Sequence, residues 1–529
     1  MPMPATARSL AATLALAVCG CAASLISPGA SRAAETPGAT PAPAGEVPVA
    51  SPAPVRSPAA VPVELTLDAL RPGRPVPPRF LGLSFEAQAI SQLGALGAHG
   101  DLVSLLRSVG PGLLRFGGIT ADQNVAWTDS LTPRPPWASS VIGPPQMHAI
   151  GVLARRSGWR VLLTVGLAHN EPQAAAREVA AAHAALGPFL AGVEIGNEPD
   201  AYGRHGFRAL PWLVQGYEED VAVYRGAIAA LTPGMAIAGP DVSGSGAFPE
   251  WGNAEALSQG PMLLTGHHYP LGCTHTPRPS IEGLLSTAVR GLEARSLETY
   301  LSVARSHAIP FRMDETNSVS CGGVAGISNT YASALWAAGY IGQAMSAGTV
   351  GVNLQGNPTN CAGYTPLCAP DPEALTAGRM RAQPDWYALL LTSSLIGYRP
   401  LLTTVSAPVA TNLAAYTFAG PARARKLLLI DDEAPGASPL AIHVRVGAGL
   451  GGARVLRLTG SSLAATDGVR LGGRAVTAVG TWRQPPRGEE APVRHGVLSL
   501  RLDASSGALV TVVPARRQAR RSPRAGHRR

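Results

Sequence analysis

The chain has 529 residues, 46% of them hydrophobic and 15% charged, with a formal net charge of +9. This is too long for one small domain and leaves room for a barrel of roughly 250 to 330 residues plus a second domain. Arg516, Arg517, Arg520, Arg521, Arg524, Arg528 and Arg529 carry seven of the nine excess charges, so the rest of the chain is near neutral and the charge does not argue for nucleic-acid binding.

Residues 1–33 read as an export signal. Arg8 precedes an apolar run over 10–18 that is too short to span a bilayer. Ser31-Arg32-Ala33 has the small-residue spacing for cleavage before Ala34. The other route is a lipobox at Val18-Cys19-Gly20-Cys21, which would lipidate Cys21 and tether the chain to a membrane. Both routes predict a secreted or cell-envelope protein. Residues 34–62 are rich in Pro and Ala and predict an extended linker. Residues 63–78 open with Val63-Glu64-Leu65-Thr66-Leu67, a strand expected to join the C-terminal sheet.

From residue 79 short apolar runs alternate with helix-forming runs. Strands are expected at 79–86, 112–118, 160–165, 192–196, 235–239, 263–269, 310–314 and 350–354, with helices such as 173–186 and 330–347 between them. Eight such βα units predict an α/β fold, a (β/α)8 TIM barrel over residues 79–398. From 399 to 515 the runs are short, β-rich and separated by Gly-rich turns, with no helical pattern, which predicts a β-sandwich. Residues 516–529 are expected to be a disordered Arg-rich tail.

Cys19 and Cys21 lie in the signal; Cys273, Cys321, Cys361 and Cys368 remain. An even number in an exported chain suggests disulfides, for which three pairings exist. Cys361–Cys368 with Cys273–Cys321 is the preferred pairing. All four fall in loops after strands six, seven and eight, where bridges would pin the barrel rim. No Cys or His spacing resembles a zinc motif, so neither a metal nor a cofactor is expected.

Two strands end in glutamate. Val193-Glu194-Ile195-Gly196-Asn197-Glu198-Pro199-Asp200 closes strand four, and Phe311-Arg312-Met313-Asp314-Glu315-Thr316-Asn317-Ser318 closes strand seven. The C-terminal strand ends of a barrel converge on one mouth. Two carboxylates meeting there suit retaining glycoside hydrolysis, in which one protonates the leaving oxygen and the other attacks the sugar carbon. Glu198 is read as acid/base and Glu315 as nucleophile. Asn197 is placed to hold a sugar 2-hydroxyl, and Arg115 to orient Glu315 by a charge-assisted hydrogen bond. Asp314 is expected on the opposite side of its strand from Glu315 and without catalytic work. Glu194 is expected to make a structural hydrogen bond inside the barrel. Of His267 and His268, near the mouth, one is expected to face a helix.

Several of these stretches resemble glycoside hydrolase family 79, the β-glucuronidase and heparanase-like enzymes. They include Phe80-Leu81-Gly82-Leu83-Ser84-Phe85-Glu86, Leu114-Arg115-Phe116-Gly117-Gly118, Glu194 to Asp200 and His268-Tyr269-Pro270-Leu271. The fullest likeness runs from Asp314-Glu315-Thr316-Asn317-Ser318 through Cys321-Gly322-Gly323 to Ala334-Leu335-Trp336. The resemblance covers roughly residues 62 to 515 and implies a retaining mechanism with the two glutamates in the roles above. Asn353-Leu354-Gln355-Gly356 departs from it, standing where an aromatic-His pattern is expected.

A glucuronide requires donors for its carboxylate. Backbone N–H groups of Cys321-Gly322-Gly323 and the hydroxyls of Tyr269 and Tyr364 are proposed for it, with Glu86 binding sugar hydroxyls. The expected activity is release of terminal β-D-glucuronic acid from a β-glucuronide or acidic oligosaccharide. The alternatives are endo-acting heparanase-like cleavage, another clan A β-glycosidase such as a glucosidase or xylosidase, and a non-catalytic carbohydrate-binding surface protein.

Overall fold

The computed structural model describes residues 59–274, 276–485 and 488–514. The export signal with Cys19 and Cys21, the linker up to residue 58, and the Arg-rich tail lie outside the described residues. Among the described residues no helix is long and apolar enough to cross a membrane.

Eight parallel strands close a barrel: Leu81–Glu86, Leu113–Gly117, Arg160–Val165, Leu190–Ile195, Ile237–Val242, Leu263–His268, Phe311–Thr316 and Gly351–Gly356. They are called here the first to eighth barrel strands. The ring closes where the eighth strand pairs with the first, Val352 opposite Leu81 and Gly356 opposite Phe85. Buried apolar residues from the outer strand faces, such as Leu83, Phe116, Leu163 and Val193, pack under the helices. Helix Pro172–Leu186 matches the run expected from its alanines, and helix Tyr331–Ala347 the run after the seventh strand. That second helix is buried on nearly all sides, as a helix apolar all round must be. It lies between the barrel and the second domain. Tyr331 donates its hydroxyl to the Leu458 carbonyl at 2.8 Å, and Gly342 leaves room for Tyr416 and Leu428.

The second domain is one 11-stranded, mostly antiparallel sheet. Strand Val61–Asp68 sits inside it, antiparallel to Arg399–Ser406 and parallel to Leu440–Arg445. Val63, Leu65, Leu429, Ile442, Val444, Leu498 and Val510 share one buried cluster. Residues from distant strands of the sheet therefore face each other across one core, the packing of a β-sandwich. The fold is a TIM barrel with a C-terminal β-sandwich, as the strand and helix patterns predict.

The fifth barrel strand differs from its expected bounds. It was expected to stop at Gly239, before a proline, but it runs to Val242. Its pairing with the sixth strand slips between Pro240 and Val242, so Asp241 is the extra residue of a bulge. A bulge accepts a proline that a regular ladder would reject.

Candidate active site

A second bulge governs the seventh strand. Met313 lies opposite Gly266 and Glu315 opposite His267, leaving Asp314 as the extra residue. The simple alternation of strand faces fails there. Asp314 does not point away from Glu315; both carboxyl groups reach the same guanidinium, that of Arg115, at 3.1 Å and 2.8 Å. The expectation of opposite sides is corrected by the bulge.

Arg115, on the second strand, is fully buried at the centre of the mouth. Its five N–H donors meet five acceptors. Nε donates to Glu194 Oε2 at 2.8 Å. Nη1 donates to Ser84 Oγ at 3.0 Å and Glu315 Oε2 at 2.8 Å. Nη2 donates to Asn197 Oδ1 at 2.9 Å and Asp241 Oδ2 at 2.6 Å. Burial alone would depress its pKa, but Asp241, Glu194, Asp314 and Glu315 outweigh that and raise it further. For Asp241 burial opposes ionisation, yet Arg115 and His267 hold its carboxyl well below the usual range. Asp314 goes the other way: burial, then Asp241 and Glu194, push it well up. The same cluster thus pushes these two neighbouring acids in opposite directions.

Glu198 stands just beyond the fourth strand in a left-handed conformation, φ 51° and ψ 51°. A non-glycine residue stays there only when its surroundings fix it. The surroundings are on both sides. Its N–H donates to the Asp241 carbonyl at 2.9 Å. Asp122, from helix Ile119–Gln123, accepts the Asn197 N–H at 2.8 Å and those of Leu167 and Ala168 at 2.7 Å and 3.0 Å. Asp200 accepts the Ser243 N–H and hydroxyl. His267, on the sixth strand, bridges the site: Nδ1 lies 2.8 Å from Glu198 Oε1 and Nε2 lies 2.8 Å from Asp241 Oδ1. Burial would lower the pKa of this imidazole, but Glu315 and Asp241 raise it well above its ordinary value. An imidazolium donates from both nitrogens, which suits the two acceptor oxygens it meets.

Oxygen atoms of Glu198 and Glu315 and the Nδ1 or Nε2 of His267 lie within 4.8 Å of one another. Glu315 has one oxygen on Arg115, and the other, Oε1, accepts the Tyr269 hydroxyl at 2.8 Å. The Tyr364 hydroxyl is 3.3 Å from that of Tyr269, and the two rings stack at 5.7 Å. Glu86, ending the first strand, takes the Thr120 N–H and hydroxyl on Oε2 at 3.0 Å and 2.7 Å. Burial, reinforced by Glu315, pushes its carboxyl up to about 7.

The rim is crosslinked. Cys273 bonds Cys321 and Cys361 bonds Cys368. Tyr364 lies inside the second loop and donates its N–H to the Gly322 carbonyl at 3.1 Å, tying the two loops together. The Gly323 N–H donates to Ser320 at 3.2 Å, so of the two glycines proposed to receive an anion it is already committed. Cys321, Gly322 and Gly323 all have positive φ, 59°, 87° and 86°. His268 turns outward: its Nδ1 meets Ser296 Oγ at 3.2 Å, its ring stacks on Tyr340, and burial lowers its pKa to about 4. Glu194 also accepts the Thr164 hydroxyl at 2.8 Å, a wholly internal role. Asn353, at the departure noted in the eighth strand, accepts from Arg312 Nε at 2.7 Å and donates to the Leu83 carbonyl at 3.0 Å.

The structure therefore gathers Glu86, Arg115, Asn197, Glu198, Tyr269, Glu315 and Tyr364 at one mouth. Sequence reasoning passed over Asp122 and Asp241 and gave His267 no partner. A charged residue at the end of a barrel strand is a usable signal for Asp241, but the proline before it hid the strand's true end. Asp122 comes from a loop helix and had no local signal.

Comparison with protein-family models and with curated proteins finds no match. Solved structures do match. A 4-O-α-L-rhamnosyl-β-D-glucuronidase from Fusarium oxysporum 12S, in complex with Rha-GlcA, superposes with a TM-score of 0.68 at 18% identity, over 85% of this chain and 100% of that one. A family 51 α-L-arabinofuranosidase from Bifidobacterium longum gives 0.64 at 15% identity, over 85% and 99%. A GH30 endoxylanase from Clostridium papyrosolvens C71 gives 0.51 at 12% identity, over 85% and 100%. The chain thus shares a barrel-plus-sandwich fold with glycoside hydrolases of several specificities.

Proposed function

We propose that the protein is a retaining glycoside hydrolase of the family 79 type that releases terminal β-D-glucuronic acid, with Glu198 as acid/base and Glu315 as nucleophile. The observation that carries this is the approach of a Glu198 and a Glu315 oxygen to within 4.8 Å at the ends of the fourth and seventh strands. Retaining enzymes keep their carboxyl groups about 5–5.5 Å apart, whereas inverting enzymes leave roughly 6.5–9.5 Å for a water.

In the first step a Glu315 oxygen attacks the anomeric carbon while Glu198 gives its proton to the departing glycosidic oxygen. The C–O bond to the aglycone breaks as the glycosyl ester to Glu315 forms. In the second, Glu198 takes a proton from water, whose oxygen displaces Glu315 and frees the sugar. Arg115 and Tyr269 each hold one Glu315 oxygen, which fixes the carboxylate for attack. Asn197 commits Oδ1 to Arg115, leaving Nδ2 to donate to the 2-hydroxyl. Arg115 has no donor left for substrate. The sugar carboxylate is therefore assigned to neutral donors, the Gly322 N–H and the Tyr364 hydroxyl. Two disulfides fit an oxidising compartment, in keeping with export.

A neutral β-glycoside is the second reading. It is favoured by one fact: the cations touching the two glutamates, Arg115 and His267, are both engaged with protein carboxylates. A panel of chromogenic β-glycosides separates the readings, with Glu315→Gln as control. Turnover of the β-glucuronide alone, abolished in Glu315→Gln, supports the proposal. Turnover of glucoside or xyloside instead keeps the glutamates and discards the carboxylate-binding turn. No hydrolysis of any glycoside would revive the carbohydrate-binding reading.

A further inference from the structure

Lys426 is the only lysine among the 43 lysines and arginines of the chain. It stands on strand Arg425–Asp431 of the sandwich domain and is 8% exposed. Leu428 and Ile430, two and four residues on, pack with the barrel core, so Lys426 lies on the sheet face turned to the barrel. Its amine donates to the Ser394 carbonyl at the end of helix Pro384–Ser393 and lies 4.3 Å over the Tyr398 ring. A cation at a helix C-terminus is a familiar cap, but it uses one of three N–H donors. Among the described residues Lys426 has no carboxylate partner, and burial pushes its pKa down to about 8.

Lys426 lines a cavity of about 1230 Å³ between that helix end and the sheet. The helix follows the eighth barrel strand and its loop, and its ten residues run about 15 Å away from the mouth. The cavity is therefore at the far end of the barrel from Glu198 and Glu315. Strand register fixes its floor. Lys426 is opposite Thr511, and Thr511 is opposite Arg454, on three adjacent strands. Directly paired residues share a face, and strands are about 4.8 Å apart. Lys426 and Arg454 thus flank the Thr511 hydroxyl from backbones roughly 10 Å apart, within reach of one group held between them. Arg494 also lines the cavity, and the acid in the lining is Glu490. Glu490 stands opposite Arg454 in register, yet neither arginine makes a side-chain hydrogen bond or ion pair among the described residues. Three positions along the same strand, by contrast, Arg457 is held by both oxygens of Glu489 at 2.5 Å and 2.6 Å. The chain beyond Pro514, itself in the lining, brings further arginines and no acidic side chain.

Unpaired cations on either side of a hydroxyl suit a phosphate monoester, which carries nearly two charges and three acceptor oxygens. A carboxylate brings one charge and two oxygens. The volume exceeds the roughly 300–1,000 Å³ of small-molecule pockets, far more than a phosphate group fills. Tyr398 and Trp482 line the remainder, and aromatic faces receive the apolar face of a sugar or a nucleobase.

We infer that this cavity binds the phosphate monoester of a ring-bearing organic molecule, its phosphate over Thr511 between Lys426 and Arg454 and its ring beside Tyr398 and Trp482. A sugar phosphate and a nucleotide share that chemistry. The site is separate from the barrel mouth and stands whichever glycoside is hydrolysed there.

The lone lysine reports on its own site. Acetylation of Lys426 by acetic anhydride near pH 8, where much of the amine is neutral, is followed by peptide mass spectrometry. Glucose 6-phosphate or uridine 5′-monophosphate, at about ten times its dissociation constant, should slow the reaction about tenfold, whereas glucose and uridine should not. Arg454→Gln changes an exposed side chain, so its thermal melt should match wild type, while affinity for the protecting ester should fall about tenfold with the lost charge-assisted hydrogen bond. Protection by the sugar phosphate alone or by the nucleotide alone keeps the site and identifies its source. Inorganic phosphate protecting as well as the esters would leave an adventitious ion only and overturn the inference. So would protection by neither ester, or protection untouched by Arg454→Gln.

Discussion

The mouth of the barrel has a closed interior and an open rim, and they are built on opposite rules. In the interior, Arg115 spends all five N–H groups on protein acceptors, and His267 both ring nitrogens. At the rim, Asn357, Gln88, Gln92 and Tyr364 keep polar atoms to spare. A closed network holds its members in one geometry, because each unpaired group would be costly. Free donors are what a ligand can use. On the proposed reading, the interior therefore sets how Glu198 and Glu315 stand, and the rim sets what they act on. Substitutions should divide along that line, with interior changes striking stability and kcat together and rim changes striking KM.

The sharpest break is Arg115→Met. It strands Glu194, Asp241 and Glu315 in a buried site without their cation. Removing one partner of a buried ion pair costs about 3–5 kcal/mol, so urea unfolding should show at least that loss, with turnover abolished. Unchanged stability would mean that the network is decorative.

His267→Asn tests the same interior more gently, through pH. The folded-state pKa of His267 is raised above its ordinary 6.5. Its stabilisation is therefore fully present below 6.5 and is lost as pH rises through the folded value. Asp241, whose pKa is lowered from 3.8, holds its own contribution above that pH. The stability gap between wild type and variant should be widest between pH 3.8 and 6.5 and should narrow in alkaline buffer. A gap that widens with pH would contradict the imidazolium.

Glu86 lies on the boundary between the two regions. Its carboxyl titrates near 7 in the fold instead of 4.5, so the folded protein binds that proton more tightly than the unfolded chain. Wild type should lose stability between pH 4.5 and 7, while Glu86→Gln avoids this loss. The variant should gain on the order of 2 kcal/mol relative to wild type across that window. Parallel pH–stability curves would show that Glu86 is more hydrated than its packing implies.

Most of the framework is legible in the chain, because eight apolar runs each followed by a helical run leave little choice of architecture. The placement of Glu198 and Glu315 at one mouth is legible for the same reason: each stands at the end of such a run. What escapes is geometry that breaks the period. The bulges at Asp241 and Asp314 each add one residue to a strand, and a face count by twos then fails at the acids that meet Arg115. Asp122 escapes for a different cause. It acts across 75 residues on the Asn197 N–H, and nothing adjacent to it in sequence marks that contact.

The smallest expected effect lies wholly in the rim. Cys361 and Cys368 close a loop with a sequence separation of 7. Loop-closure entropy then limits their stabilisation to about 2 kcal/mol, well short of the interior's share. The bond's local consequence is larger, since Tyr364 rides on that loop and meets Tyr269 beside Glu315. The double variant Cys361→Ser/Cys368→Ser should therefore stay folded and keep kcat within a few-fold, because Arg115 and Tyr269 still hold Glu315. Its KM should rise, because ordering the loop around substrate now costs entropy that the crosslink had already removed. Steady-state kinetics beside a thermal melt reads both effects. A fall in kcat with KM unchanged would place the loop with the interior and erase the line between the two regions.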